Sequence, residues 1–230
     1  MPDLRNMKVA PFAIGGGVFL TCTLATILLG DYALSSDEAP PFDRSTARAM
    51  KDMGDARPAK GVWMAWVTHL GDNMVLAAVA ALGVLWNLIR RKWWLAAAWA
   101  VIALGGQAIN DGVKNWAQRE RPPVAWRDPA VTTPPRSFSF PSGHALGSTV
   151  IYGLLGYTML LEAKRRLYVI MVMAEVALIV GAVGFSRVYL RVHWASDVMA
   201  GFLIGAAWLG LSLGLLESWR RRVRNSAGVP

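Results

Sequence analysis

Repeated long apolar runs are the feature that most limits what this chain can fold into. Several stretches of about 20 residues carry few or no charges, which is the length that an α-helix needs to cross the hydrocarbon core of a bilayer. Of the 230 residues, 54% are hydrophobic and only 17% are charged. The single cysteine, Cys22, lies inside the first run, so the sequence offers no disulfide framework. An all-α integral membrane protein is therefore predicted.

Six predicted transmembrane helices account for most of the chain, which we treat as one domain covering residues 1–230. One of them contains Glu175. Charges inside spans usually face the interior of the bundle, and this one could equally pair with a neighbouring polar group. Small residues four apart, at Gly201 and Gly205 and at Gly210 and Gly214, predict close helix packing. The predicted spans cover residues 9–29, 73–89, 93–110, 141–161, 167–185 and 194–216.

The segment 31–72 between the first two spans is expected outside the membrane core. Residues 31–60 are polar and contain a predicted short helix, and residues 62–70 are a short, apolar, Trp-rich lead-in at the interface. This helix lies either on the membrane surface or over the spans, or it is an ordinary loop helix. Asp43 or Ser45 would cap its start, and its apolar stripe would consist of Ala47, Met50 and Met53.

Basic residues predict the orientation. They crowd the two short connections, 90–92 and 164–166, and both termini, whereas on the other side they are spread over longer segments that also carry acids. Short basic loops favour the cytoplasmic side. We therefore expect both termini in the cytoplasm and the segments 31–72, 111–136 and 187–193 outside it. No basic run is long or interleaved with exposed aromatic residues, so the net charge of +9 does not indicate a nucleic-acid partner.

The stretch 186–197, with the sequence SRVYLRVHWASD, lies between the last two spans and combines three chemically useful side chains. Arg187 can bind an anion, His193 can act as nucleophile or base, and Asp197 can orient it. If a helix starts near His193, the spacing of four places His193 and Asp197 on one face. A carboxylate there holds one ring nitrogen and leaves the other free to react. Alone, the stretch is equally compatible with a polar loop whose side chains cap a helix.

A second group, Pro141-Ser142-Gly143-His144, opens the fourth predicted span. Proline favours the first turn of a helix, and the free amides of Ser142 and Gly143 at a helix N-terminus would suit a phosphate oxygen. His144 lies one residue deeper. Without further context, the tetrapeptide could be a simple helix start.

A third group supplies more positive charge. Lys114 and Arg121 are seven residues apart, so a continuous helix would place them on one face, and Pro122 and Pro123 would end that helix. Together the three groups provide what phosphoryl transfer needs: cations around the phosphoryl oxygens, an in-line nucleophile and an acid for the leaving oxygen. The sequence has no cluster of carboxylates or thiolates that suits a divalent metal, so we expect neither a metal nor a cofactor.

In order and spacing, Lys114-x6-Arg121-Pro122, Pro141-Ser142-Gly143-His144 and Ser186-Arg187-x5-His193-x3-Asp197 resemble the tripartite signature of the type 2 phosphatidic acid phosphatase (PAP2) superfamily. The resemblance implies the all-α fold shared with soluble acid phosphatases and vanadium haloperoxidases, here as a six-helix membrane bundle. It also implies the roles of the residues. His193 would be the nucleophile, Asp197 its orienting partner and His144 the acid and base. The phosphate would be held by Lys114, Arg121, Arg187, Ser142 and Gly143.

By the same resemblance, the expected activity is metal-independent hydrolysis of a phosphate or diphosphate ester of a membrane lipid, through a phosphohistidine. Undecaprenyl pyrophosphate, phosphatidylglycerophosphate, phosphatidate and lipid A are the expected kinds of substrate. The enzyme would lie in the bacterial cytoplasmic (inner) membrane with its site on the periplasmic face. Two alternatives remain open from the sequence: a lipid phosphotransferase that uses the same phosphohistidine, and a non-enzymatic phosphate-binding membrane protein or transporter.

Overall fold

The computed structural model describes residues 11–36, 38–132 and 137–226, and within them every regular element is helical. This confirms the predicted all-α class. Two single 3₁₀ turns, His69–Gly71 and Val124–Trp126, lie in the connections. The helices are α1 (Pro11–Leu34), α2 (Pro41–Ala56), α3 (Pro58–Thr68), α4 (Asn73–Ile89), α5 (Trp93–Ala117), α6 (Gly143–Leu160), α7 (Arg166–Tyr189) and α8 (Ala195–Ser226).

Within the described part of the chain, four helical stretches are long and apolar enough to cross a membrane: Pro11–Leu34, Pro58–Ile89, Arg166–Tyr189 and Ala195–Ser226. They include four of the six predicted spans. The other two predicted spans form α5 and α6, which are helices of 25 and 18 residues. The six-span count therefore stays a prediction. The first predicted span begins at residues 9 and 10, and the polar segment 111–136 ends at residues 133–136; all of these lie outside the described residues.

Two predicted helix boundaries near the signature residues are wrong. α5 runs beyond residue 110 and ends at Ala117, because Gln118 takes a left-handed conformation with φ of 45°. Arg121 therefore lies after the helix and not on its face, and the two prolines that follow do not terminate it. α6 begins at Gly143 with Ser142 as its N-cap, so Pro141 precedes the helix and does not occupy its first turn.

The long helix α8 packs against both α1 and α6, and glycine makes this close approach possible. A Cβ atom built on Gly201 would lie 2.6 Å from the carbonyl oxygen of Ser142, and one on Gly205 would lie 3.0 Å from that of Leu146. On the other side of α8, a Cβ on Gly214 would lie 3.0 Å from the Cα of Gly15 in α1. The predicted close packing at these small residues is confirmed.

The surface helix predicted within 31–72 exists as α2, but its start is not capped as expected. Its N-cap is Pro40, which makes no side-chain capping bond. Asp43 is instead completely buried. Met50 packs on a buried cluster at the end of α7 formed by Tyr189, Leu190 and Val192. Because of these contacts, α2 lies over the corner between α7 and α8.

Glu175 lies on the exposed outer surface of α7. The expectation that this charge faces the bundle interior is therefore wrong. Met171 and Leu178, one helical turn before and after it, are apolar and also exposed.

Candidate active site

The predicted site residues lie at one end of the bundle because the helices alternate in direction. Lys114 is in the last turn of α5, and Ser142 caps the start of α6. Arg187 is in the last turn of α7, and Asp197 is in the first turn of α8. His193 follows in the five-residue connection 190–194 between α7 and α8. Four helix ends therefore converge on one region.

His193 is buried, with 3% of its surface exposed, and its two ring nitrogens have different surroundings. Nε2 lies 3.1 Å from Nη1 of Arg121. Nδ1 lies 3.5 Å from Oδ2 of Asp197 and 3.5 Å from Oγ of Ser139. One nitrogen thus faces a cation, and the other faces a carboxylate and a hydroxyl.

Burial, followed by the nearby charges of Arg121, Arg187 and Lys114, holds the pKa of His193 well below its ordinary value. The ring is therefore neutral at neutral pH and keeps a lone pair for attack on an electrophile. Burial also lowers the pKa of Arg121, to about 10, which leaves its guanidinium charged at neutral pH.

Asp197 is fully buried and is held by more partners than the sequence indicated. Its Oδ2 accepts hydrogen bonds from the amide of Trp194 at 2.9 Å and from Oγ of Ser139 at 2.5 Å. Its Oδ1 accepts one from Nη1 of Arg119 at 2.6 Å. The distance to His193, 3.5 Å, is longer than an ordinary hydrogen bond. In this structure, Asp197 and Ser139 face Nδ1 together.

Arg119 and Asp43 were not recognised from the sequence, and they form a buried ion network behind Asp197. The guanidinium of Arg119 bridges two carboxylates, since its Nη2 donates to Oδ2 of Asp43 at 2.8 Å and its Nη1 donates to Asp197. Asp43 also accepts bonds from the amide and the hydroxyl of Ser196, at 2.9 and 2.5 Å. Through this network, α2 is tied to the first turn of α8.

Two of the expected phosphate-binding cations donate to main-chain carbonyl groups in the segment before α6 and in the connection between α7 and α8. Nζ of Lys114 donates to the oxygens of Phe138 and Pro141, at 2.7 and 2.8 Å. Arg121 donates to the oxygens of Val192 at 2.6 Å and Ser137 at 2.8 Å. In this structure both cations therefore donate to oxygen acceptors that carry partial negative charge.

Arg187, the third expected cation, is 8% exposed. One of its nitrogens, Nη1, donates to Oγ1 of Thr68 at 2.7 Å, whereas its Nε is buried without a hydrogen-bond partner. A buried unpaired donor costs free energy unless something accepts from it. Arg187 therefore retains a donor for an incoming anion.

The N-terminus of α6 differs from expectation in one respect. The amide of Ser142 is not free, because it donates to the carbonyl oxygen of Asp197 at 2.9 Å. The Ser142 hydroxyl is buried and unpartnered, as is Oδ1 of Asn110. A Cβ on Gly143 would lie 3.1 Å from that Asn110 oxygen, so a glycine here lets the start of α6 pack closely against Asn110 in α5.

His144 is at the first turn of α6 and contacts a residue that the sequence did not single out. Its Nε2 lies 2.9 Å from Oδ1 of Asp72, which precedes α4. Oδ2 of Asp72 lies 2.6 Å from Nδ1 of His69. The two expected catalytic histidines therefore lie at the same end of the bundle, His144 in the first turn of α6 and His193 in the connection before α8.

The arrangement suits attack on a phosphoryl group. It joins a neutral buried imidazole, a second imidazole next to a carboxylate, and three cations that can neutralise phosphoryl oxygens. Among residues 11–36, 38–132 and 137–226, no group of three or more His, Cys, Asp and Glu side chains is placed to hold a metal ion.

Comparison with known proteins gives consistent matches. Residues 93–221 match the model of the PAP2 superfamily. Phosphatidylglycerophosphatase B of Bacillus subtilis is 31% identical over 69% of this chain and 76% of its own length. The undecaprenyl-diphosphatase of Sulfolobus acidocaldarius is 27% identical over 67% of this chain and 69% of its own.

Among solved structures, a transmembrane PAP2-type phosphatidylglycerolphosphate phosphatase from Bacillus subtilis superposes with a TM-score of 0.71. The two chains are 24% identical, and the match covers 89% of this chain and 96% of the other. This similarity confirms the expected fold of a membrane-embedded helical bundle.

Proposed function

Because the chain belongs to the PAP2 superfamily, we propose that it removes a phosphate group from a membrane lipid by way of a phosphohistidine at His193. Membership of this family confirms the expected enzyme class, which is a phosphatase of the PAP2 type. The lipid, the mechanism and the roles of the residues are our proposal.

The observation that carries the mechanism is the placement of His193. Its ring is neutral and buried, and Nε2 lies 3.1 Å from the charged Arg121. In the first step, the lone pair of Nε2 attacks phosphorus, the bond to the lipid oxygen breaks, and that oxygen takes a proton from His144. In the second step, His144 accepts a proton from water, the resulting hydroxide attacks the phosphohistidine, and inorganic phosphate leaves.

We assign to Lys114, Arg121 and Arg187 the neutralisation of the negative charge on the phosphoryl oxygens. When a substrate enters, its phosphoryl oxygens replace the carbonyl oxygens that Lys114 and Arg121 contact, and they accept from the unpaired Nε of Arg187. The Ser142 hydroxyl and the Gly143 amide complete the cradle. Since these groups supply the positive charge, we propose that no divalent metal is needed.

A lipid substrate is supported by two observations. The relatives are named for substrates that share a phosphate on a membrane lipid, including a decaprenylphosphoryl-5-phosphoribose phosphatase of Mycobacterium tuberculosis. In addition, an apolar cavity of about 680 Å³ lies between α1, α5 and α8 and reaches Phe140, two residues before the Ser142 cradle. Its wall offers an apolar path for a lipid tail and includes Ile109, Val113, Trp116 and Trp208.

The orientation follows from the charges at the far end of the bundle. The basic connections Arg90–Lys92 and Lys164–Arg166 lie at the opposite end from the site, where Lys92 pairs with Glu162 at 2.5 Å. Basic short loops favour the cytoplasm. We propose that the site opens on the extracytoplasmic face of a bacterial inner membrane, with both termini in the cytoplasm.

Phosphate release by the detergent-purified protein tests the proposal. The substrates would be undecaprenyl pyrophosphate, phosphatidylglycerophosphate, phosphatidate and lipid A, each assayed in EDTA with and without magnesium. We expect release that does not need metal and that His193→Ala abolishes while the variant keeps its elution volume and thermal stability. Release that persists in His193→Ala, or appears only with magnesium, contradicts the mechanism. Phosphate that passes to an added lipid alcohol would identify a phosphotransferase.

A further inference from the structure

Asp72 forms a second aspartate–histidine pair in this site, beside the pair of His193 and Asp197. It is the single residue between the 3₁₀ turn His69–Gly71 and α4, and its backbone is extended. Oδ1 lies 2.9 Å from Nε2 of His144, and the two side chains are 38% and 19% exposed. This aspartate lies outside the three sequence motifs that resemble the PAP2 signature.

The corner that carries Asp72 fits closely against the His144 ring. A Cβ added to Gly71 would lie 3.0 Å from Cδ2 of His144 and 2.5 Å from Cγ1 of Val183 in α7. The ring is thus confined along one edge by the Gly71 backbone and held at Nε2 by Asp72. With Nε2 engaged, Nδ1 is the nitrogen left to exchange a proton with a substrate.

The charges around His144 come from several elements. Arg187 on α7 and Arg121 from the connection after α5 interact with it electrostatically, and so does Asp72. His69 contacts the other oxygen of Asp72 at 2.6 Å. Cations disfavour a protonated imidazole, whereas an adjacent carboxylate favours it. Asp72 therefore counteracts the effect of Arg187 and Arg121, which disfavours a proton on His144.

We propose that Asp72 is a positioning residue for proton transfer: it fixes the His144 ring and favours the protonated form that donates to the leaving oxygen. The inference rests on the proposed function and assigns a residue to its first step. The proton moves from His144 to the oxygen that leaves phosphorus, and Asp72 remains a carboxylate throughout, as the orienting aspartate does in other histidine-based sites.

This role predicts a dependence on the leaving group. An alkoxide leaves poorly without a proton, whereas a nitrophenolate leaves readily, so only the first needs the acid. The ratio kcat/KM reports the steps up to departure of the leaving group, and the later attack of water on the phosphohistidine does not enter it. A loss confined to the poor leaving group therefore isolates the proton transfer from any general damage to the fold.

The test compares Asp72→Asn with the unaltered protein on dodecyl phosphate and on a nitrophenyl phosphate that carries the same dodecyl chain. Asp72→Glu, which keeps the carboxylate, serves as the conservative variant. Asp55→Asn is the matched control, because Asp55 is an exposed carboxylate in α2 that pairs with Lys51. It removes the same charge without touching the site.

We expect Asp72→Asn to lower kcat/KM for dodecyl phosphate by roughly 10- to 100-fold, which is only part of the roughly 100- to 10,000-fold that general acid–base catalysis contributes, and that for the aryl phosphate by less than about 3-fold. Asp72→Glu should recover much of the loss, and Asp55→Asn should change neither substrate. Equal losses on both substrates would make Asp72 merely structural, and no loss on either would remove it from the reaction; both results overturn the inference. If the unaltered protein releases phosphate from neither, the proposed function itself fails.

Discussion

Replacing Asp43 by asparagine probes the buried ion network behind the site. The substitution keeps the volume of the side chain but removes its charge, at a position with 0% exposure. Asp43 accepts three hydrogen bonds, one from Arg119 at 2.8 Å and two from Ser196. If the NH2 group of the asparagine faced Arg119, two hydrogen-bond donors would face each other. If the side chain turned the other way, its NH2 group would face the main-chain N–H of Ser196, which would lose its acceptor.

The expected size of the effect follows from this burial. Removing one partner of a buried ion pair costs about 3–5 kcal/mol, because the remaining charge stays desolvated. Arg119 keeps Asp197 as a second partner, so we expect the lower part of that range, about 3 kcal/mol. Glu38→Gln is the matched control. Glu38 also pairs with an arginine, Arg44, but its side chain is 81% exposed, and exposed pairs contribute at most about 1 kcal/mol.

Equilibrium unfolding in mixed detergent and SDS micelles measures both variants, with tryptophan fluorescence as the signal from the 11 tryptophans. The reasoning is refuted if Asp43→Asn lowers the free energy of unfolding no more than Glu38→Gln does. That result would mean that water reaches the network, and that α2 is not anchored to α8 through Arg119.

Three further predictions follow from the site. Asp197→Asn should lower kcat by roughly 100-fold or more while the protein stays folded, because the imidazole loses its orienting carboxylate; unchanged turnover would make Asp197 a helix cap only. Gly201→Ala should cost about 1–3 kcal/mol of stability, because its Cβ would lie 2.6 Å from the carbonyl oxygen of Ser142; thermal unfolding checks this, and an unchanged transition contradicts it. The depressed pKa of His193 keeps the ring neutral in the folded state, so the acid limb of kcat/KM, corrected for ionisation of the substrate, should lie below the ordinary histidine value of about 6.5. Since the unfolded chain takes up a proton there and the folded chain does not, stability should fall as the pH drops below about 6.5; an acid limb at or above that value would refute a neutral, cation-facing His193.

Much of the site could be predicted from the sequence because the residues concerned lie at helix ends of alternating direction. Lys114, His144, Arg187 and His193 all precede or follow apolar runs on the same predicted side of the membrane. Alternation alone then brings them to one end of a bundle. Helix geometry gave a mixed result: Arg121 does not lie on the face of α5, which ends at Ala117, whereas His193 and Asp197 do lie 3.5 Å apart although α8 begins only at Ala195.

The supporting residues could not be predicted, since their roles depend on tertiary packing between distant segments. Asp43 resembles a helix-capping residue in the sequence, yet it bonds Arg119, 76 positions later. Asp72 stands in an ordinary turn before an apolar run, and it meets His144 only because α4 packs beside α6. Arg119 and Arg121 carry the same charge and lie two positions apart, so the sequence does not distinguish them. In the fold, Arg119 is buried and binds carboxylates, whereas Arg121 faces His193.

The most direct test of the central claim is to trap the phosphate on the enzyme. The protein would be mixed with a ³²P-labelled lipid phosphate, quenched in alkali within milliseconds, and analysed by mass spectrometry for the labelled peptide. The account predicts an acid-labile phosphate on His193 that forms before inorganic phosphate appears and is absent in His193→Ala. Release of phosphate without any labelled enzyme, or a label on a different residue, would contradict it.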